Sequence, residues 1–408
     1  MRGMSAASYA RRRQVAVALC ALLLAGLGGC SGASSGTAKL TLDCSTQVSP
    51  GKPIAVPTPQ PVQLTAHPFA ALALPGGAWA VASLTIAGSP GDRGEVALMA
   101  VHGATAHVVR RLILPPRLGG AAGLALSPNG QLLLVAAESA TGVLSVPALE
   151  KHSHHPLVGI LADGAAGQTE VAVSGDGKYA FVTDETSGEL STFNLALALR
   201  KGFRAHGVAA GIIPLAPGAL GLAVAPDADT VYVTTLGGYG DHGILWAIDA
   251  HRGEQGAGRS AVLAHAPAGC QPVRVAVAPS GKTIWVTALQ SNALLAYAAA
   301  AKPASPPALR AVVHVGAEPV GLLLLNNGST ALVGDSDRGL IPGTPVSAEP
   351  RISVVSTADA LAGHPAVTGS LPAGQFPRDL GYDSSTGQLL VPNYISETVE
   401  FLHAPASP

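Results

Sequence analysis

Charge is scarce in this chain: Asp, Glu, Lys and Arg together make up 12% of 408 residues, about half the share usual in soluble proteins. The 24 basic and 25 acidic side chains nearly cancel, and the body of the chain holds no Lys/Arg-rich block. Aromatic residues reach only 4%. There is thus neither an electrostatic footprint nor a stacking platform for nucleic acid, and that class of function is excluded. Long stretches free of Gly and Pro are few. The 49 Gly and 32 Pro recur every few residues and break any long 3.6-residue period, which excludes helical bundles and coiled coils. Beyond the N-terminus no apolar run approaches membrane-spanning length; residues 293–301 manage nine. Neither a Gly-x-x-x-x-Gly-Lys phosphate loop nor a His-Glu-x-x-His zinc motif occurs. What is plentiful is apolar side chain, 48% of the total, which argues against disorder. A chain of this length then needs several domains or one large repetitive architecture.

The N-terminus reads as an address. Arg11, Arg12 and Arg13 precede an apolar run from Val15 to Leu27, too short for a permanent span but suited to a secretory signal. The run ends in Leu27-Gly28-Gly29-Cys30, which resembles the lipobox of bacterial lipoproteins. That resemblance implies cleavage before Cys30, a lipid on its sulfur, and residence at the cell envelope, on the outer face of the cytoplasmic membrane or on an outer membrane. Residues Gln14, Val15 and Ala16 fit a twin-arginine export signal poorly, so the Sec route is favoured. The expected organisation is a signal peptide at 1–29, a lipidated cysteine with a flexible Gly/Ser-rich tether at 30–53, and one domain at 54–408. Removal of the signal takes away four Arg and no acid, leaving a mildly acidic protein. Of four cysteines, Cys20 leaves with the signal and Cys30 carries lipid, so Cys44 and Cys270 are either one disulfide or two separate thiols.

The body repeats. Gly123-Leu124-Ala125-Leu126-Ser127-Pro128-Asn129-Gly130 returns near Val173, Val224 and Val277, more weakly near Leu324 and Tyr382, and in eroded form near Leu74; the intervals run from 47 to 58 residues. Each copy is a short apolar strand, a turn whose Gly supplies positive φ, and a β-branched second strand. The second strands include Phe181-Val182-Thr183-Asp184, Tyr232-Val233-Thr234-Thr235 and Trp285-Val286-Thr287-Ala288. They resemble the Tyr-Val-Thr-Asn signature of the bacterial YVTN β-propeller repeat family over about residues 70 to 402. The resemblance implies an all-β, seven-bladed propeller with four-stranded repeats of roughly 51 residues; an eighth blade is the alternative. Pro392 departs from the motif and predicts a bulge or edge in the last blade. Because the last unit stops at its third strand near Leu402, the apolar segment Ile54 to Leu64 is expected to supply the missing strand.

In such an architecture ligands meet residues at the channel mouths. Three positions before the repeat anchors lie Glu170, Arg274 and Asp379, with Arg378 adjacent. They read either as a polar binding site for a small anionic ligand or as a ring of structural salt bridges. The carboxylate pairs Asp184-Glu185 and Asp335/Asp337 read as solvated loop acids rather than a Ca²⁺ site. His152, His154 and His155 form the densest metal-like cluster, yet no Cys or carboxylate sits at ligand spacing, and an exposed loop is the expectation. No catalytic residue, metal or cofactor is assigned. The functional expectation is a lipid-anchored module that binds an envelope protein or a small anion; the alternative is a propeller lactonase-like hydrolase. A convergence of His, Glu and Arg at one mouth would speak for the hydrolase.

Overall fold

The computed structural model describes residues 40–87, 92–203, 208–300, 305–345 and 350–405. The signal segment and Cys30 lie outside them. Seven antiparallel sheets of four strands each follow one another along the chain, and the architecture is a seven-bladed β-propeller. Blades one to six occupy 67–113, 121–161, 168–214, 219–270, 272–314 and 319–372; blade seven combines Gly381–Asp383, Gln388–Asn393 and Thr398–His403 with Val62–Gln63.

The blades form because their strands are apolar on both faces, and each face is buried only against a neighbour. Val81 and Leu98 of blade one pack with Leu133, Val135 and Leu144 of blade two, and similar clusters fill the other interfaces. That stacking is where the high apolar content goes. Third and outer strands are joined in blades two, three, four and six by short helices, Val146–Glu150, Leu195–Arg200, Ala250–Glu254 and Thr357–Ala362. Ser145, Asn194, Asp249 and Ser356 cap them by accepting the backbone N–H three residues on. The strand reading of the sequence did not place these turns of helix.

Closure differs in detail from expectation. Only Val62 and Gln63 pair with the last strand, opposite Val399 and Thr398. Ile54 instead donates to Ser370 O (2.8 Å), and Pro53 bridges Ser370 in parallel, so this part of the segment lies on blade six. Pro392 stays in its ladder opposite Val399. The interruption falls on the facing inner strand, which between the Pro377–Asn393 bridge and Gly381 makes no regular pairs. Arg378 N donates to Pro392 O (3.1 Å), so that face of Pro392 points at the inner strand and has no N–H to return. Arg378 and Asp379 stand in this gap.

Residues assigned to a flexible tether are docked from Ser45 onward. Ser45 N donates to Gln290 O (3.0 Å) and Ser49 N to Val315 O (2.6 Å), carrying the arm across blades five and six. Cys44 is disulfide-bonded to Cys270 at the end of blade four's outer strand, with Cα atoms 5.3 Å apart. Among the described residues no helix is long and apolar enough to cross a membrane.

Candidate functional site: the channel mouth

The start of each inner strand is aimed by one side chain of the second-strand motif. Thr183 Oγ1 accepts from Glu170 N (3.1 Å) and donates to Leu220 O of the next blade (2.8 Å). Thr234 repeats this with Gly221 N (2.9 Å) and Val273 O (3.0 Å), and Thr287 with Arg274 N and Val320 O, both at 3.0 Å. Ser83 does the same between Ala70 and Ala122. At these places the ladder register slips, between Gln168 and Glu170 and between Pro272 and Val275 for example. The hydroxyl thus satisfies backbone groups that a bulge leaves unpaired, and the bulge turns the next side chain into the channel.

Glu170 and Arg274, from blades three and five, meet there. Arg274 Nη2 stands 2.7 Å from Glu170 Oε1, close but without the alignment of a hydrogen bond. Gly123 makes the room: a Cβ at that position would lie 2.7 Å from Glu170 Oε2. Burial pushes the Glu170 carboxyl up to about 7, against the pull of Arg274. Burial also raises Asp379, again opposed by Arg274.

Arg378 is different. Its guanidinium carbon lies 3.8 Å from the centre of the Phe69 ring, 5.1 Å from Tyr394 and 5.3 Å from Phe376, within cation–π range of all three. Burial lowers it to about 10, so it remains charged at neutral pH. Arg274 touches the same Phe69 at 5.6 Å, and Arg338 lies 4.2 Å from the Phe376 ring. His67 stacks on Tyr394 (4.8 Å between centres) and approaches Glu397 to 3.4 Å.

A loop folds in beside this cluster. Buried Glu318 accepts from Arg338 N (3.0 Å), Ile341 N (2.9 Å) and Leu340 N. Ile341 then packs with Leu220, Val273, Leu289 and Val320 around the opening. Asn292 ties the loop to the disulfide-bonded arm, donating to Ser45 O (2.8 Å) and to Thr344 Oγ1 (3.2 Å) while accepting from Glu318 N (2.8 Å).

Of the four residues that the repeat register singles out, Glu170 and Arg274 are in contact, Asp379 is electrostatically coupled to them, and Arg378 stands among rings. A closed circuit of salt bridges is not what forms. Sequence reasoning missed Phe69, Phe376, Tyr394, Arg338 and His67. The available signal was scarcity, since a chain with six Phe and seven Tyr gathers three of them here. His152, His154 and His155 are exposed, and His152 meets the edge of Trp79 at 5.6 Å. No group of three His, Cys, Asp or Glu able to hold a metal occurs among the described residues. The expectation of solvated loop acids fails at Asp184 and Asp335, which are buried at 0% and 2% exposure. Each takes one serine hydroxyl, Ser191 on Asp184 Oδ2 (2.6 Å) and Ser353 on Asp335 Oδ2 (2.8 Å). Burial pushes Asp184 up to about 7 and Asp335 well above the usual carboxylate range.

No protein-family model matches the chain, and none of the curated proteins matches it by sequence. Solved structures do. The hydrazine synthase of Kuenenia stuttgartiensis superposes with a TM-score of 0.65 at 14% identity, covering 85% of this chain and 98% of that one. The Cps50 (Swd1) β-propeller domain of Myceliophteria thermophila gives 0.61 at 11% identity, covering 86% and 99%. At such identities the likeness is one of fold alone.

Proposed function

We propose that this protein is an exported, lipid-anchored propeller that serves as a binding module at the cell envelope and takes a small anionic ligand at the mouth bearing Arg274 and Arg378. The observation that carries the anion reading is a guanidinium at the mouth, Arg378, which stands on three rings and makes no salt bridge to an acid among the described residues. The address reading rests on Leu27 to Cys30. Two measurements test it. Cys30→Ser should abolish labelling by a fatty acid and release the protein from membranes; a substituted protein that stays labelled and membrane-bound overturns the anchor. Arg274→Ala should weaken binding of a small anion by about 1.5 to 3 kcal/mol, the scale of a charge-assisted hydrogen bond. Lost thermal stability with no anion bound by the wild type would return these residues to a structural role.

A hydrolytic reading is favoured by one specific feature. His67 stacks on the Tyr394 ring that also faces Arg378, Glu170 meets Arg274, and a carboxyl held near 7 suits a general base at neutral pH. Turnover of simple lactones by the wild type, lost in Glu170→Gln with folding intact, would establish it. Absence of turnover leaves the binding module.

A further inference from the structure

Charge at the mouth is not balanced residue by residue. Arg274 has Glu170 at 2.7 Å and Arg338 has Glu318 at 3.9 Å, whereas no carboxylate among the described residues pairs with Arg378. Its Nε is shut off from solvent and has no hydrogen-bond partner. A half-buried cation with an N–H left this way costs free energy unless something else compensates it. The three rings do so only in part, because cation–π attraction leaves the in-plane N–H groups of a guanidinium unused. Of the acids nearby, Glu170 is taken up by Arg274, and burial raises the Asp379 carboxyl. Rings and buried aliphatic side chains lie around this group: Phe69, Phe376 and Tyr394 on the guanidinium, and Leu220, Val273 and Val320 beside Phe376, while Arg274 and Arg338 share Phe69 and Phe376 with it.

A ligand suited to that surface carries one negative charge, presents it in a plane, and has a body that gains by leaving water. Inorganic phosphate fails on the last count and brings more charge than one free guanidinium balances. We propose that the channel mouth binds a small organic monocarboxylate with a flat or apolar body, its carboxylate on the Nη groups of Arg378 and its body against Tyr394 and the edge of Phe69. This rests on the anion-binding reading above and narrows it to a chemical class.

The test titrates the full chain with benzoate, phenylacetate, acetate and inorganic phosphate, by calorimetry and by thermal shift. Benzoate and phenylacetate should bind saturably and roughly ten-fold or more tightly than acetate or phosphate. Arg378→Gln should lose that binding by a similar factor, and Arg378→Lys should retain part of it. Phe69→Leu should weaken benzoate more than acetate, which keeps the test valid if Arg378→Gln fails to fold. Phosphate binding more tightly than benzoate, with dependence on Arg378, overturns the carboxylate class and leaves the anion site standing. Binding of none of the four overturns both readings. Benzoate binding that survives Arg378→Gln in a folded protein overturns the assignment to Arg378.

Discussion

At the scale of single residues, the motif threonine does most to shape the mouth. Thr234 is buried, accepts one backbone N–H and donates to a carbonyl of the next blade. Thr234→Val keeps the shape but strands both partners, so denaturant unfolding should show a loss of about 1 to 3 kcal/mol; an unchanged midpoint would mean that water or a backbone shift replaces the hydroxyl. The motif itself was legible in the sequence. Its inter-blade role was not, because the partner carbonyl lies 39 residues on. Asp184 offers a second check. Its folded-state carboxyl sits at about 7, while an unfolded Asp titrates at about 3.9. Between those values the folded protein holds a proton that unfolding releases, so this group's contribution is present below pH ~4 and lost as pH rises toward ~7. Asp184→Asn should flatten that decline and raise stability at pH ~8 by on the order of 2 kcal/mol relative to wild type. Equal melting differences at pH ~4 and pH ~8 would contradict the shift.

At the scale of elements, the N-terminal arm shows how far local composition misleads. Residues 30–53 read as a flexible Gly/Ser-rich tether, yet Ser45 and Ser49 are hydrogen-bonded to Gln290 and Val315 of the propeller. The pairing of Cys44 with Cys270 spans 226 residues, so the cross-link restricts a very long loop of the unfolded chain. Reduction, or Cys44→Ser, should lower stability by about 2 to 4 kcal/mol. Because Asn292 joins Ser45, Thr344 and Glu318, it should also loosen the loop around Ile341. Hydrogen exchange in residues 338–345, compared between oxidised and reduced protein, reads this directly; equal exchange would separate arm from loop. The last blade is a second case. The bulge or edge expected at Pro392 does not fall on its own strand, which stays in register with the last one; the gap opens on the facing inner strand, where Arg378 leaves the ladder.

At the scale of the whole molecule, a ring of seven blades leaves no free sheet face only if its ends meet. Two residues, Val62 and Gln63, complete the last sheet. Val62→Pro removes a backbone donor and should break that short pairing, exposing the edge at Thr398–His403 and broadening the thermal transition. A sharp, unshifted transition would show that the packing of Val62 and Leu64 against Leu390 and Phe401 closes the ring without the hydrogen bonds.

The sequence by itself determined what is periodic: strand order, turn glycines and the ring positions of Glu170, Arg274 and Asp379, because each arises from a pattern repeated every few dozen residues; seven blades rather than eight was left to the structure. Only the tertiary structure decided what occurs once. The meeting of Phe69, Phe376, Arg378 and Tyr394, the burial of Asp184 and Asp335, and the bond from Cys44 to Cys270 join positions that share no register, and contacts between distant segments leave no local trace in a chain until the ring closes and sets them side by side.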